Sequence, residues 1–281
     1  MTLHVEPLIE LDPAVVEQRF GRSAFVVHHH LQDHPLTQLE ALAELADSLP
    51  SDRVEHNLAS VGDTVPGGEV PRSDLPPGEI VRTIETNGCW MVLPIHGVPS
   101  YAEFFDELFA TVTRSLPERE GRIRRRQGVF FLSAPNSTTP THIDLEQGYL
   151  LQLSGGKQVS IGDFPDSEVA LREVERFCAG SHRNIADLPH DAETFELSPG
   201  EGVHVPALVP HLVKTPGKVS LSLSIGFETD AVVRRAAVHR ANAGLRRLGI
   251  TPARPGARPR GDRAKEQVIE TARRVARIVR R

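Results

Sequence analysis

The stretch that decides the fold is residues 139–163, which read TPTHIDLEQGYLLQLSGGKQVSIGD. Its second half holds two runs of strand-forming residues, 148–155 and 157–163, bounded by glycines. Such runs between turn residues are typical of short β-strands. Four more runs of this kind lie on either side, GVFFLS (128–133), TFELSPG (194–200), GVHVP (202–206) and VSLSLSIGF (219–227). Six short strands in about 100 residues predict a β-sandwich or barrel.

The last of these runs alternates strictly between apolar and polar residues. Val219, Leu221, Leu223 and Ile225 fall on one face of an extended chain, and three serines fall on the other. Because successive strand residues point to opposite faces, one face should meet the core while the serine face lines a polar space.

Helical patterns surround the strands. A leucine stripe, Leu36, Leu39, Leu42, Leu45 and Leu49, indicates an amphipathic helix, and a short buried strand is predicted at 89–95. The predicted helices are 36–49, 74–86, 100–115, 167–180, 231–249 and 263–281. We therefore expect a mainly β fold with flanking helices in three ranges: 1–127, packed on and continuous with the core; the core itself, 128–230; and a basic helical extension, 231–281.

The composition is that of a globular protein. The chain has 281 residues, 39% apolar and 25% charged, with two cysteines that lie far apart in the sequence. Two cysteines cannot form a disulfide framework, so a reduced, cytoplasmic protein is expected. The first 25 residues lack the pattern of a signal peptide, and the sequence has no run of 18 apolar residues, so we expect no membrane association.

Charge is distributed unevenly along the chain. Residues 231–281 carry 15 Lys or Arg and three acids, whereas residues 1–230 carry 17 bases and 34 acids. The basic segment is expected to dock on the acidic body of its own or a second subunit, although nucleic-acid binding stays open. The helix 263–281 has a stripe of Val268, Ala272, Val275 and Val279, which suits packing against another helix and predicts a homodimer.

A His-x-Asp pair is the sharpest chemical feature. In an extended segment, His142 and Asp144 point the same way and can meet one metal ion. A third ligand is predicted downstream in PGEGVHVPALVPHLV (199–213), where the Gly-rich turn would bring His211 from the opposite sheet. Two imidazoles and one carboxylate leave coordination positions open, as in non-haem Fe(II) oxygenases. His204 is the competing candidate, for which a structural role is favoured.

Lys157 follows on the next strand. A lysine inside a barrel requires an anionic partner, because an unpaired buried ammonium is costly. A dicarboxylate co-substrate would supply that partner, and the Thr139 hydroxyl could hydrogen-bond the same carboxylate. Of the other candidates, the tract His28-His29-His30 is interpreted as a surface or edge feature, and Cys178 as a core residue.

The T-P-x-H-x-D start, the interval to the lysine of Gly-Gly-Lys and the distal histidine resemble the JmjC, or cupin-like, branch of the Fe(II)/2-oxoglutarate-dependent oxygenases. The resemblance is strong from Phe130 to Phe227, and the flanking helices resemble those of bacterial cupin-like domain proteins. It implies a double-stranded β-helix, or jelly-roll. It also implies iron ligands His142, Asp144 and His211, with 2-oxoglutarate held by Lys157 and Thr139.

The resemblance further implies a dioxygenase that hydroxylates an amino-acid side chain in a peptide, protein or carrier-bound substrate. The sequence departs from the family pattern at Gly148 and Gly226, where relatives often carry asparagines that help hold the metal-chelating end of the co-substrate. Two other interpretations stay open. One is a non-catalytic cupin-like metal-binding regulator with a nucleic-acid-binding tail, and the other is a cupin enzyme that does not use 2-oxoglutarate.

Overall fold

The computed structural model describes residues 7–65 and 70–279. Within these ranges the chain forms twelve β-strands and seven α-helices. The strands are β1 (Ile9–Glu10), β2 (Phe25–His29), β3 (Glu55–Leu58), β4 (Cys89–Pro94), β5 (Ile123–Ser133), β6 (Thr138–His142), β7 (Gln147–Ser154), β8 (Lys157–Asp163), β9 (His190–Leu197), β10 (Glu201–Val205), β11 (His211–Lys214) and β12 (Ser220–Thr229). The helices are α1 (Pro13–Arg19), α2 (Leu39–Ser48), α3 (Pro77–Arg82), α4 (Ala102–Ser115), α5 (Ser167–Cys178), α6 (Asp230–Arg247) and α7 (Pro259–Val279).

The strands form two antiparallel sheets. The larger has the order β1-β2-β10-β7-β12-β5-β4-β3, and the smaller has the order β6-β11-β8-β9. The strands that precede residue 128 extend the larger sheet at both ends, because β2 pairs with β10 and β4 pairs with β5. The predicted fold class, mainly β with flanking helices, is confirmed.

The alternation in β12 separates the two faces of the larger sheet as predicted. Leu221, Leu223 and Ile225 are buried in an apolar core that α2, α3 and α4 share. On the other face, Ser222 Oγ donates a hydrogen bond to Gln152 Oε1 over 2.7 Å. This polar face of the larger sheet turns toward the smaller sheet.

Several predicted elements differ in extent. The helix predicted at 74–86 is only Pro77–Arg82, because Thr83 leaves the helical conformation, although Ile84 is still buried. Leu39 was wrongly assigned to the buried stripe. It is the first residue of α2 and is 43% exposed, while Leu42 and Leu45 are buried.

The prediction of six strands in the second half was two strands too few. The missed strands are β6 and β11, which have five and four residues. Pro140 lies inside β6 and Pro210 directly precedes β11, so neither segment shows an uninterrupted strand pattern. Both missed strands belong to the smaller sheet.

The basic C-terminal region contacts the acidic body at α5. Arg246 Nε lies 2.8 Å from Glu175 Oε2, and Arg254 pairs with Glu168. Val268 and Val275 of α7 are exposed, at 64% and 54%. Arg280 and Arg281, also part of the predicted basic helix, lie outside the described residues.

Cys89 and Cys178 are both buried and form no disulfide, and Cys178 lies in a small apolar cluster as predicted. None of the helices in the described part of the chain is long and apolar enough to span a bilayer.

Candidate metal centre

His142, Asp144 and His211 converge between the two sheets. Asp144 Oδ2 lies 3.6 Å from His142 Nε2 and 3.5 Å from His211 Nε2. One ligand atom from each residue lies within 4.8 Å of the other two. The structure therefore brings together the three ligands predicted from the sequence.

Strand pairing positions the two histidines. His211 lies directly opposite His142 in the β6–β11 ladder. The prediction that His211 comes from the opposite sheet was wrong, because β11 is the hydrogen-bonded neighbour of β6 in the smaller sheet. Asp144 follows β6, and its carbonyl accepts a 2.7 Å hydrogen bond from the Leu208 amide, which ties the two ligand-bearing segments together.

The backbone fixes the tautomer of both imidazoles. His142 Nδ1 donates to Pro140 O over 2.7 Å, and His211 Nδ1 donates to Val209 O over 3.0 Å. A carbonyl oxygen only accepts, so Nδ1 of each ring carries a proton, and Nε2, which faces Asp144, is the atom that can bind a metal. Burial, together with the neighbouring His211, lowers the pKa of His142 to about 4. Two imidazoles and a carboxylate suit a divalent first-row metal.

Arg183 holds the second oxygen of Asp144. Its Nη1 donates to Asp144 Oδ1 over 3.0 Å, which leaves Oδ2 facing the histidines. Burial by itself would raise the pKa of this carboxyl, but Arg183 and the imidazoles outweigh it and hold the pKa well below its usual value. Sequence reasoning missed Arg183, because it lies 39 residues from Asp144 in a polar loop with no motif around it.

Lys157 lines the cavity that contains these ligands. The cavity has a volume of about 250 Å³, and Thr139 also lines it. Lys157 is 4% exposed, and its Nζ lies 5.4 Å from the centre of the Phe131 ring. It makes no ion pair within the described chain, and burial lowers its pKa to about 7. A buried ammonium without a counter-charge is a ready site for an anion.

The remaining candidate histidines lie elsewhere. His204 is fully buried, accepts a hydrogen bond from the Gly21 amide and stacks on Phe20, so its role is structural as predicted. The interpretation of His28-His29-His30 was wrong for its middle member. His29 is 2% exposed and bonds Gln152 O through Nε2, because β2 lies between β1 and β10 rather than at an edge.

Comparison with known protein families finds a match for the core of the chain. Residues 120–234 match the sequence model of the JmjC domain family. This segment is similar to a JmjC domain. No curated protein sequence matches the chain. The matched segment contains the three predicted ligands and Lys157.

Solved structures share the fold of the matched segment and of the elements that flank it. YcfD of Escherichia coli is 18% identical, with a TM-score of 0.53, and the match covers 94% of this chain and 68% of that one. A structure described as the ribosomal oxygenase YcfD in complex with cobalt and 2-oxoglutarate matches with 18% identity and a TM-score of 0.53, covering 95% of this chain and 68% of that one. A structure of YcfD in complex with cobalt and succinic acid matches with 17% identity and a TM-score of 0.52, covering 95% of this chain and 68% of that one. The predicted jelly-roll is confirmed.

Proposed function

We propose that the protein is an Fe(II)- and 2-oxoglutarate-dependent oxygenase. The observation that carries the proposal is a JmjC core in which His142, Asp144 and His211 converge in the same cavity as an unpaired, buried Lys157. A metal ligand set alone would fit many proteins. The added buried cation predicts an anionic co-substrate beside the metal.

The three ligands would hold the metal through His142 Nε2, His211 Nε2 and one oxygen of Asp144. When bound, Fe(II) with 2-oxoglutarate supplies the oxidising power to insert one atom of O2 into a C–H bond, with succinate and CO2 as the other products. The chain's own contribution is geometric. The backbone carbonyls fix both imidazole tautomers, and Arg183 fixes the rotation of the Asp144 carboxylate.

Lys157 and Thr139 are proposed to bind the distal carboxylate of 2-oxoglutarate. Lys157 on β8 offers the charge, and the Thr139 hydroxyl can donate a second hydrogen bond from β6 of the same sheet. The Phe131 ring, 5.4 Å from the Lys157 ammonium, gives that end of the cavity an apolar wall, beside which electrostatic attraction is stronger than in water.

The proposed reaction is hydroxylation of an amino-acid side chain in a peptide, a protein or a carrier-bound substrate. The likeness to a structure described as a ribosomal oxygenase supports a protein substrate. Homodimerisation and a cytoplasmic location stay predictions from the sequence.

Succinate formation from 2-oxoglutarate, Fe(II) and O2 without added substrate tests the proposal, since oxygenases of this kind turn over slowly uncoupled. The wild-type chain should form succinate and Asp144→Ala should not. His190→Ala, which removes an exposed histidine, serves as the matched control. Equal succinate formation in wild type and Asp144→Ala would refute the ligand assignment. Incubation with peptide pools should then reveal products heavier by one oxygen atom.

A further inference from the structure

Four residues form a transverse row on the cavity face of the larger sheet. Gly226 of β12 lies directly opposite Gln127 of β5 on one side and Gly148 of β7 on the other, and Val205 of β10 lies opposite Gly148. All four residues line the cavity of the metal centre. Because Gly226 and Gly148 are adjacent and have no side chains, the middle of this row leaves free space on the cavity face of the sheet.

The Gln127 side chain occupies the space over Gly226. A Cβ atom on Gly226 would lie 3.0 Å from Gln127 Nε2 and 3.1 Å from its Cγ. A Cβ atom on Gly148 would meet nothing closer than Val205 O at 3.9 Å. Gln127 is the only one of these four residues with a polar side chain, since the others are two glycines and a valine. Its amide forms no hydrogen bond with any described residue, although amides facing an interior normally find partners.

Strand register places the Gln127 amide at the level of the metal ligands. Lys157 on β8 lies against Phe131 on β5. Gln127 is four residues from Phe131 along β5, and Ile161, which pairs with His211, is four residues from Lys157 along β8. Four strand residues span about 13 Å. Gly148, in the row of Gln127, lies near the start of β7, four residues after Asp144, whereas Gln152 of β7 pairs with Ser222, which in turn pairs with Phe131. Gln127 therefore lies toward the Asp144 end of the cavity, and Lys157, beside Phe131, lies toward the other end.

We propose that Gln127 donates a hydrogen bond to the carboxylate beside the 2-oxo group of 2-oxoglutarate. This inference rests on the proposed function. The co-substrate has a carboxylate at each end, and Lys157 accounts for one. The other reaches the metal level, where Arg183 is already engaged with Asp144. The Gln127 amide is an uncommitted donor at that level, and Gly226 lets it lie flat across the sheet.

Titration of the cobalt-loaded protein with 2-oxoglutarate and with succinate, without turnover, tests the proposal. Succinate lacks the carboxylate in question. Gln127→Ala should weaken 2-oxoglutarate binding about ten-fold or more, the effect of one hydrogen bond to a charged group, and leave succinate binding nearly unchanged. Lys157→Ala should weaken both. Gln158→Ala, whose amide bonds Glu196 on the outer face of β8, should weaken neither.

A rescue variant separates a binding role from a structural one. The nearest atoms to a Cβ on Gly226 all belong to Gln127, so removal of that side chain makes room for another. Gln127→Ala combined with Gly226→Asn returns an amide to the same place from the neighbouring strand. It should recover most of the 2-oxoglutarate affinity that Gln127→Ala loses.

The Gln127 inference would be overturned if Gln127→Ala bound 2-oxoglutarate as tightly as the wild type, or if it lost affinity for 2-oxoglutarate and succinate equally. The proposed function would still stand in either case, provided that Lys157→Ala weakens 2-oxoglutarate binding. A wild-type protein that binds cobalt but not 2-oxoglutarate would overturn the proposed function and the inference with it.

Discussion

At the scale of one residue, the buried ammonium of Lys157 lowers the stability of the folded chain. Its folded pKa of about 7 lies below the ordinary lysine value because burial disfavours the charged form. The unfolded chain therefore binds more protons between pH 7 and 10.5, and the free energy of unfolding should rise with pH across that window.

Lys157→Met should remove this pH dependence. It should also raise the free energy of unfolding at pH 7 by on the order of 1 kcal/mol or more, since each pKa unit corresponds to about 1.4 kcal/mol. Urea unfolding at pH 7 and pH 9 measures both effects, with the exposed Lys218→Met as control. A less stable Lys157→Met protein would show that the ammonium has a partner in the free chain.

The same pKa predicts the pH dependence of co-substrate binding. Above pH 7 the free Lys157 is increasingly neutral, so binding of a dicarboxylate must take up a proton and affinity should fall as pH rises. Within the described part of the chain, burial lowers the pKa of Lys157 and no neighbouring charge contributes. Calorimetric titration with 2-oxoglutarate at pH 8 in two buffers of different ionisation enthalpy should detect the proton. A buffer-independent heat would contradict this expectation.

Arg183 is not a proposed metal ligand itself, but it positions the carboxylate of Asp144, which is one. Arg183→Met keeps the length of the side chain but frees the carboxylate to rotate, and loss of such a supporting contact typically weakens metal binding about 10- to 100-fold. Competition with a metal-sensitive dye gives the affinity. Arg172→Met, on the exposed face of α5, is the control, and equal metal affinity in the two variants would exclude a positioning role.

At the scale of the element, one face of β12 packs in the apolar core and the other face lines the cavity. Leu223 is fully buried in the core shared with the helices, so Leu223→Ala should cost about 2–5 kcal/mol of unfolding free energy. Its neighbour Ser224 faces the cavity, and Ser224→Ala should leave stability nearly unchanged. Urea unfolding of the two variants measures the free energy of unfolding. Equal losses would contradict the assignment of Leu223 to the core face and Ser224 to the cavity face.

At the scale of the whole molecule, the exposed valines of α7 bear on assembly. Val268 and Val275 are exposed in a single chain, and the homodimer predicted from the sequence would bury them against a second copy. Val268→Asp with Val275→Asp should therefore shift the wild-type sedimentation profile toward monomer while uncoupled turnover continues. A wild-type monomer that binds duplex DNA with steep salt dependence would favour the nucleic-acid interpretation of the basic segment.

The sequence by itself determined the features that follow from local periodicity and spacing. The alternation in β12 predicted which residues meet the core, and the His-x-Asp spacing predicted that His142 and Asp144 point the same way. Both follow from the two-residue repeat of a strand. The presence of one lysine directly after Gly155-Gly156 likewise predicted a buried cation in the barrel.

Only the tertiary structure decided which distant segments meet. The pairing of β6 with β11 joins His142 to His211 across 69 residues, and it placed His211 on the same sheet rather than the opposite one. Arg183 and Gln127 came to the site in the same way, one on a loop and one opposite a glycine. Each local segment is compatible with several pairings, because hydrogen bonds between strands are made by the backbone and carry no residue identity. The choice among them depends on how the two complete sheets bury their apolar faces together.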